Sequence, residues 1–337
     1  MNSVARVMSL VAVTVLVTLA LSSWLVWREM ERVMQSSVVM SGSILFRIES
    51  GSNLSRIARD LEAHGWISHH RLFVLRAWLD GFASSIQAGT YEVSPGDTPQ
   101  KMLEAFRTGD TKTFDVTFIE GSRFADMRRV LAAQPHLLHT IEDKSDEELM
   151  AELGVPEIPA EGMFFPSTYR YEAGSRDIEL LARACTQLQE ILNREWEERA
   201  EDLPYASPYD ALIMASIIEE ETGRAQERRE IAGVFVRRLK RGMKLQTDPT
   251  VIYGLGKAFD GNLRRADLEG DTPYNTYTRS GLPPTPIALP GADAIAAALD
   301  PAPGKALYFV ARGDGTHQFS KTLNEHNAAV RRYQLRR

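Results

Sequence analysis

The sequence predicts an α+β protein with an N-terminal transmembrane helix, a small α+β module and a larger α+β region. Three observations favour this class: an uncharged apolar segment near the start, a repeated strand–turn–helix pattern after it, and longer capped helices in the second half. The 337 residues suffice for about two domains. With 44% hydrophobic and 25% charged residues, the composition argues against wholesale disorder, collagen and coiled coil.

The segment from Val7 to Trp27 contains 21 residues and no charge. As a helix it would span about 31 Å, the thickness of a hydrocarbon core. A cleaved signal peptide is the alternative, since Arg6 supplies a basic start, but the apolar run is long and no Ala-x-Ala site closes it. We predict an uncleaved anchor with Trp24 and Trp27 at one interface, a cytoplasmic tail of residues 1–6 and export of the rest.

Charge and cysteine content exclude several kinds of partner and site. A net charge of -6 argues against nucleic acid, because duplex binders usually carry a basic surface. The single cysteine, Cys185, cannot form an internal disulfide and is interpreted as a small buried group. The chain has no His-Glu-x-x-His or Gly-x-Ser-x-Gly motif, so the sequence indicates neither zinc-dependent nor serine hydrolysis. No cofactor and no metal are expected.

A strand, a Gly turn and a capped helix recur three times after a Ser-rich spacer. The copies begin with Phe46–Asn53, Tyr91–Thr98 and Val116–Arg123. Alternation predicts each strand, Gly permits the turn, and Ser, Asn, Asp or Thr caps the helix. Chance similarity between short turns is the alternative, most of all for the third copy.

An aromatic cluster follows between residues 161 and 171, where four aromatic side chains accompany Glu161 and Arg170. Phe165 and Tyr169 belong to this cluster. It suits one wall of a cleft, because sugar rings dock on aromatic faces. A core strand with alternating packing is the alternative, and from the residues alone it is favoured.

A helix should begin at Ser207-Pro208 and end at Gly223, since Ser is a capping residue and Pro suits the first helical position. At about 100° per residue, Ile213, Met214, Ile217 and Ile218 form an apolar stripe.

Three consecutive glutamates end this helix. Glu219 falls on the face opposite the stripe, Glu220 at its edge, and Glu221 within it. A carboxylate among apolar neighbours loses hydration, which raises its pKa toward the range of a general acid. The spacing is equally compatible with Glu221 reaching solvent or pairing with an arginine such as Arg224.

The remaining segments are polar or basic. The helix from Ala225 to Arg241 is interpreted as amphipathic, with a solvated cationic face. Lys244–Gly254 and Tyr274–Pro284 are rich in neutral hydrogen-bonding groups and tyrosine, which suits a carbohydrate, although local turn chemistry also explains them. Leu307–Val310 predicts a short buried strand, and Gly313–Gly315 predicts a hairpin turn leading to His317.

Four motifs resemble, in order, those of the endolytic murein transglycosylases of the MltG (YceG-like) family: Ala215–Thr222, Leu245–Gly254, Tyr274–Tyr277 and Gly281–Pro284. The resemblance runs from the anchor to about Tyr333. It implies an inner-membrane anchor (7–27), a LysM-like module (44–110), an intermediate region with the aromatic cleft wall (111–205) and a catalytic region in the periplasm (206–337).

The resemblance also implies the site. The family's catalytic acid is the last Glu of Ile-Glu-Lys-Glu-Thr, which corresponds to Glu221. Glu220 replaces the family's Lys, and this negative neighbour should raise the proton affinity of Glu221 further. Thr285–Ile287 stands where the family tends to have Gly, which leaves the shape of that loop open. Substrate-binding roles are expected for Gln246, Asp248, Asn275, Tyr277, Glu161, Phe165 and Tyr169.

The implied reaction is lytic transglycosylation of peptidoglycan. Glu221 would protonate the oxygen between N-acetylmuramic acid and N-acetylglucosamine, and the muramyl 6-hydroxyl would close a 1,6-anhydro ring without water or a second acid. Such cuts would end nascent strands beside peptidoglycan synthases. Two alternatives stay open: a muramidase pairing Glu221 with Asp248 or Glu161, and a non-catalytic glycan-binding scaffold that recruits synthases.

Overall fold

The computed structural model describes residues 2–335, with side chains from Arg6 onward. The chain divides into two compact units, and the division falls between Phe114 and Asp115. From residue 115 on, the predicted intermediate region lies in the same unit as the predicted catalytic region.

The first unit begins with one continuous helix, α1 (Asn2–Met34). Within residues 2–335 it is the one helix long and apolar enough to cross a membrane, a criterion that a signal sequence near the N-terminus also meets. Its apolar side chains from Val7 to Trp27 are exposed. The predicted apolar helix is therefore confirmed.

The rest of the first unit is a small α+β module. Its elements are β1 (Ile44–Ile48), α2 (Leu54–Ala63), α3 (His70–Leu79), β2 (Gly89–Val93) and α4 (Pro99–Thr108). Strands β1 and β2 pair antiparallel, with Ile44 opposite Val93. The helices cover the apolar side of this pair, and the core includes Phe46, Phe73 and Tyr91.

The second unit is mostly helical. Strand β3 (Thr113–Thr117) starts at the division and pairs with β4. The elements that follow it are α5 (Phe124–Ala132), α6 (Asp146–Glu152), β4 (Thr168–Glu172), α7 (Asp177–Glu197), α8 (Pro208–Glu221), α9 (Ala225–Lys240), α10 (Asp248–Leu255), a 3-10 turn (Gly256–Ala258), α11 (Arg265–Glu269), α12 (Ala292–Leu299), β5 (Tyr308–Ala311), β6 (His317–Ser320) and α13 (Leu323–Tyr333). Strands β5 and β6 form the predicted C-terminal hairpin, with Ala311 opposite His317.

The three strand–turn–helix copies are present, but their caps differ. Asn53 accepts the N–H of Arg56 at 2.8 Å, and Thr98 accepts that of Lys101 at 3.2 Å, as expected for capping side chains. In the third copy Arg123 occupies the cap position, and the carboxylate of Asp126 accepts its N–H at 3.0 Å. A capping Ser, Asn, Asp or Thr is therefore wrong for the third copy.

Helix α8 lies in the centre of the second unit. It packs against α7, α9, α10 and α12, and every residue from Ala211 to Ile218 is buried. A helix enclosed on all sides has no polar face, so the predicted single apolar stripe is wrong. Glu219, assigned to the face opposite the stripe, has a side chain only 6% exposed, and it pairs with Arg228 at 2.9 Å.

Helix α9 departs from its predicted solvated cationic face at two positions. Arg228 and Arg238 are each 7% exposed, whereas Arg229 and Arg241 lie on the surface. The Nε of Arg238 donates to the carbonyl of Leu307 at 2.6 Å. These two arginines therefore connect α9 to neighbouring parts of the unit.

Candidate active site

A cavity of about 470 Å³ opens at the C-terminal end of α8. This volume is within the range of small-molecule sites. Its polar lining side chains come from α8, α9, the start of α10 and the two residues before it, the loop before α12, the C-terminal hairpin and the end of the chain around α13. They are Glu221, Arg238, Gln246, Thr247, Asp248, Tyr277, Tyr308, His317, His326 and Gln334. Glu221, Gln246, Asp248 and Tyr277, four of the residues that the sequence singles out, thus share one cavity.

The position of Glu221 follows from the ends of its helix. Ser207 caps α8 by accepting the N–H of Asp210 at 3.3 Å, and Pro208 occupies the first turn. Helix α8 ends at Glu221 because Thr222 adopts extended backbone. The last side chain of this buried helix, that of Glu221, therefore reaches the cavity and is half-buried there.

Burial is the main reason that the pKa of Glu221 rises from its ordinary value of 4.5 to about 7. The hydroxyl of Thr247 donates a hydrogen bond to its carboxylate and lowers that pKa, as does the charge of Arg238. The carboxylates of Asp248 and Glu220 raise it. The expected effect of Glu220 is thus confirmed in direction, and Glu221 holds its proton up to about neutral pH.

The segment beside Glu221 has a strained backbone. Gln246 has a φ of 52°, in the left-handed region that side chains other than glycine rarely adopt. Its N–H donates to the carbonyl of Thr276 at 3.1 Å, and the next N–H, of Thr247, donates to the hydroxyl of Thr276 at the same distance. These bonds fix the hydroxyl of Thr247 where it meets the carboxylate of Glu221.

Asp248 and Tyr277 form a second polar pair in the cavity. The Tyr277 hydroxyl donates to Oδ1 of Asp248 at 2.5 Å. Burial and this hydrogen bond raise the pKa of Tyr277, so the phenol stays protonated near neutral pH. The pair presents a phenol held by its hydrogen bond, and a carboxylate, to the same cavity as Glu221.

Asn275 lies beneath the cavity wall rather than in it. It is fully buried, and its amide nitrogen donates to the carbonyls of Leu268 and Gly270 at 3.1 and 2.6 Å. Its carbonyl oxygen accepts the N–H of Tyr277 at 2.8 Å. Asn275 therefore positions Tyr277 through the backbone.

The loop at Thr285–Ile287 has a definite shape in this chain. The N–H of Ile287 donates to the buried hydroxyl of Ser216 at 3.0 Å, and Thr285 bonds to Tyr274 at 2.8 Å. Pro286 packs directly on Gly162, where an added Cβ would lie 2.3 Å from the proline ring. Gly162 also has a φ of 76°, in the left-handed region. Glycine is therefore required at this position, both because a Cβ would clash with Pro286 and because other residues rarely adopt this backbone.

Glu161 lines a second cavity, of about 350 Å³, together with Tyr253 and Tyr274. Its carboxylate accepts the hydroxyl of Tyr253 at 3.1 Å and the N–H of Phe124 at 2.9 Å. Burial raises its pKa. The two tyrosine rings lie 4.8 Å apart, so this cavity combines aromatic faces with one carboxyl group.

Phe165 and Tyr169 line neither of these two cavities. Tyr169 is 3% exposed, and its hydroxyl donates to the carbonyl of Phe165 at 2.8 Å. Its ring packs 5.5 Å from that of Phe118. Tyr169 is thus part of strand β4 packing, which is the alternative that the sequence already favoured, while Phe165 is half-buried.

Sequence reasoning missed Arg238, Thr247, Tyr308, His317 and His326. The guanidinium of Arg238 lies 5.0 Å from the Tyr308 ring, and His317 bonds through Nδ1 to Glu227 at 2.7 Å. A signal for Arg238 existed, because it follows Ile231 by seven residues and therefore lies on the apolar side of α9. No local signal brings the hairpin residues to Glu221. Among the described residues, no group of three or more His, Cys, Asp or Glu side chains could hold a metal ion.

Replacing Glu221 with Gln should change how stability depends on pH. The folded chain holds the Glu221 proton with a pKa of about 7, against 4.5 in the unfolded chain, so wild-type stability falls as pH rises between these values. The free energy of unfolding of Glu221→Gln minus that of wild type should therefore increase by about 3 kcal/mol between pH 4.5 and 8. This free energy is measured by labelling the buried thiol of Cys185 at increasing concentrations of denaturant. A difference independent of pH would contradict the raised pKa.

The chain is similar to known proteins of one family. A family model described as the YceG-like family matches residues 46–332. A Bacillus subtilis protein named endolytic murein transglycosylase is 33% identical over 86% of this chain and 85% of its own length. One from Streptococcus pneumoniae with the same name is 26% identical over 84% of this chain and 57% of its own length. A crystal structure of a YceG-like protein from Listeria monocytogenes superposes with a TM-score of 0.54 at 32% identity, covering 85% of this chain and 98% of the other. The chain belongs to the YceG-like family, in which curated relatives are named endolytic murein transglycosylases.

Proposed function

We propose that the chain is a membrane-anchored lytic transglycosylase that cuts peptidoglycan between N-acetylmuramic acid and N-acetylglucosamine and leaves 1,6-anhydro ends. The observation that carries this proposal is Glu221, a carboxyl group with a pKa of about 7 in a cavity of about 470 Å³. A general acid works best when its pKa is near the working pH. The names of the relatives agree with the reaction class.

In the first step, the proton of Glu221 passes to the glycosidic oxygen as the bond to the anomeric carbon breaks. The resulting Glu221 carboxylate then takes the proton of the muramyl 6-hydroxyl, whose oxygen bonds to the same anomeric carbon. Glu221 ends the cycle protonated, and neither water nor a second acid is consumed. The raised pKa serves both steps, because it makes the acid available and the carboxylate a stronger base.

The glycan contacts of this reaction are proposed from the cavity lining. Gln246, Asp248 and Tyr277 offer an amide, a carboxylate and a phenol beside Glu221. Hydroxyl and N-acetyl groups of the sugar require such donors and acceptors. Asn275 would act through the position of Tyr277, and Glu161 with its two tyrosines would form a further subsite. Phe165 is a candidate stacking face, whereas the burial of Tyr169 favours a packing role.

A muramidase is the second candidate, because Asp248 supplies a second carboxylate in the same cavity. A hydrolase would use it to activate water or to attack the sugar. Digestion of purified glycan strands in ¹⁸O-labelled water separates the two reactions. Transglycosylation should give muramyl ends without the label and lighter by one water than reducing ends. Ends that carry ¹⁸O and a free reducing sugar would replace this proposal with hydrolysis.

The cellular setting is also part of the proposal. Helix α1 would serve as an uncleaved inner-membrane anchor with the enzyme in the periplasm, and the β1-α2-α3-β2 arrangement suits the proposed LysM-like glycan-binding module. Tethering confines a catalytic site to substrate near the membrane. Nascent strands would therefore be cut while they are still close to the synthases that make them, which ends their elongation.

Thr247 should set the pH range of the reaction through its hydrogen bond to Glu221. The bond lowers the pKa of Glu221, so Thr247→Val should move the alkaline limb of kcat/KM to higher pH by about one unit. Thr247→Ser keeps a hydroxyl and should restore the wild-type limb. The measurement is the rate of strand cleavage from pH 5 to about 9 for the three proteins. An identical alkaline limb in Thr247→Val would remove this role from Thr247.

A further inference from the structure

Two large apolar side chains lie exposed at the end of helix α3. Trp78 is 68% exposed and Leu79 is 50% exposed. On the inner face of the same helix, Phe73 and Ala77 are fully buried. Helix α3 therefore already packs on the module core, and the exposed pair is additional to what the fold of the module needs.

The position of this pair is fixed by contacts between α3 and α1. The guanidinium of Arg76 lies 5.7 Å from the centre of the Trp27 ring and donates to Glu31 at 2.5 Å. Trp27 is the last residue of the predicted membrane span. Because Trp78 and Leu79 follow Arg76 by only two and three residues, they lie about 3 to 5 Å farther along the helix axis. The apolar pair is thus close to the level at which the span ends.

No flexible linker separates the span from the module. Helix α1 continues without a break to Met34. Met30, Val33 and Met34 are at most 2% exposed, and the first and last of these belong to the module core. The helix covers only about 10 Å between Trp27 and Met34, which is comparable to the thickness of a headgroup layer. Packing therefore sets the orientation of the module relative to the span.

We propose that Trp78 and Leu79 insert into the lipid interface, so that the module docks on the membrane surface where its own anchor emerges. This inference rests on the anchor in the proposed function. The occupant is the bilayer because Trp27, whose ring contacts Arg76 of α3, ends the exposed apolar surface of α1, which includes Trp24 and Leu25. Tryptophan is enriched at membrane interfaces, which suits Trp78 at this level.

The test uses the full chain in lipid nanodiscs that hold one copy each. An environment-sensitive nitrobenzoxadiazole label is attached to Leu79→Cys or Trp78→Cys, and quenching by spin-labelled lipids is measured. Trp24→Cys, within the span, is the positive control. Gln35 is exposed, directly follows the last residue of α1 and lies about 12 Å beyond Trp27, so Gln35→Cys is the matched aqueous control. Unsubstituted chain gives the background, since Cys185 is buried.

Labels at Leu79 and Trp78 should be quenched several-fold more than the label at Gln35, and most by lipids with the spin label near the headgroup. Quenching at Trp24 with none at Leu79 and Trp78 would overturn docking and leave the anchor intact. An unquenched Trp24 label would remove the anchor and docking together. Quenching at Leu79 only in discs with two chains would identify a second copy as the occupant and overturn the proposal. Cleavage of soluble glycan strands, measured separately, tests the proposed reaction independently.

Discussion

Glu221→Gln should reduce the release of anhydro ends from peptidoglycan by about 10³-fold or more while the chain stays folded. Glutamine keeps the size of the side chain and can still accept the hydrogen bond from Thr247. It can neither give a proton to the glycosidic oxygen nor take one from the muramyl hydroxyl. Both steps therefore fail together, which is the reason for the large loss. The measurement is mass spectrometry of the products of purified glycan strands.

The control for this prediction makes the same change at a surface glutamate. Glu230 is exposed on α9 and lines neither cavity described above. Glu230→Gln should therefore cleave at the wild-type rate. Retention of most cleavage by Glu221→Gln, in a preparation free of other murein enzymes, would remove Glu221 from the mechanism.

Arg228→Met should lower the free energy of unfolding of the second unit by about 3 to 5 kcal/mol. The side chains of Arg228 and Glu219 are 9% and 6% exposed, and their charged groups pair at 2.9 Å. Asp293 is a second carboxylate partner, at 3.2 Å. Without Arg228, the carboxylate of Glu219 is left buried with only the N–H of Gly291 as a partner, at 2.9 Å. Denaturant-dependent labelling of Cys185, which lies in this unit, measures the loss.

Arg229→Met is the matched control, since Arg229 is the next residue and its ion pair with Asp300 is exposed on both sides. Exposed pairs contribute about 0 to 1 kcal/mol, so this variant should be nearly as stable as wild type. Arg228→Met combined with Glu219→Gln should recover part of the loss, because the unpaired charge is removed. Equal stability of the two single variants would contradict the buried pair.

Local signals predicted much of the fold. The Ser207-Pro208 start of α8, the three strand–turn–helix copies and the hairpin at Gly313–Gly315 all depend on neighbouring residues. Each of these predictions is confirmed by the structure. The cap of the third copy was wrong because Asp126, inside α5, accepts the N–H of the cap residue Arg123, and Glu161 accepts the first N–H of the helix, that of Phe124. The turn sequence alone does not determine these partners.

The surroundings of α8 and α9 could not be predicted in the same way. A helical wheel assumes that one face of the helix meets solvent, but α8 packs against α7, α9, α10 and α12. Of these, α10 and α12 are distant in sequence, and residues 198–207 separate α7 from α8. Glu219 is therefore buried, and its charge is balanced by Arg228 from the next helix. The partial burial of Glu221 agrees with its predicted position within the apolar stripe, although the wheel was equally compatible with a side chain that reaches solvent.

For the candidate site, the sequence motifs named Gln246, Asp248 and Tyr277, and the structure brings all three to the cavity of Glu221. The motifs did not distinguish these three residues from Asn275, which positions a loop. In a sequence motif, a buried amide that holds a loop looks the same as an amide that binds a sugar. His317 and His326 reach the cavity through tertiary packing of the hairpin and α13, which no spacing along the chain encodes.

A carboxyl titration tests most directly whether Glu221 holds a proton near neutral pH. Glutamate side chains labelled with ¹³C in the full chain are followed by NMR from pH 3 to about 9, and the Glu221 signal is assigned by its absence in Glu221→Gln. We predict that this signal titrates at about 7. A Glu221 signal that titrates at the ordinary value of 4.5 would contradict the account.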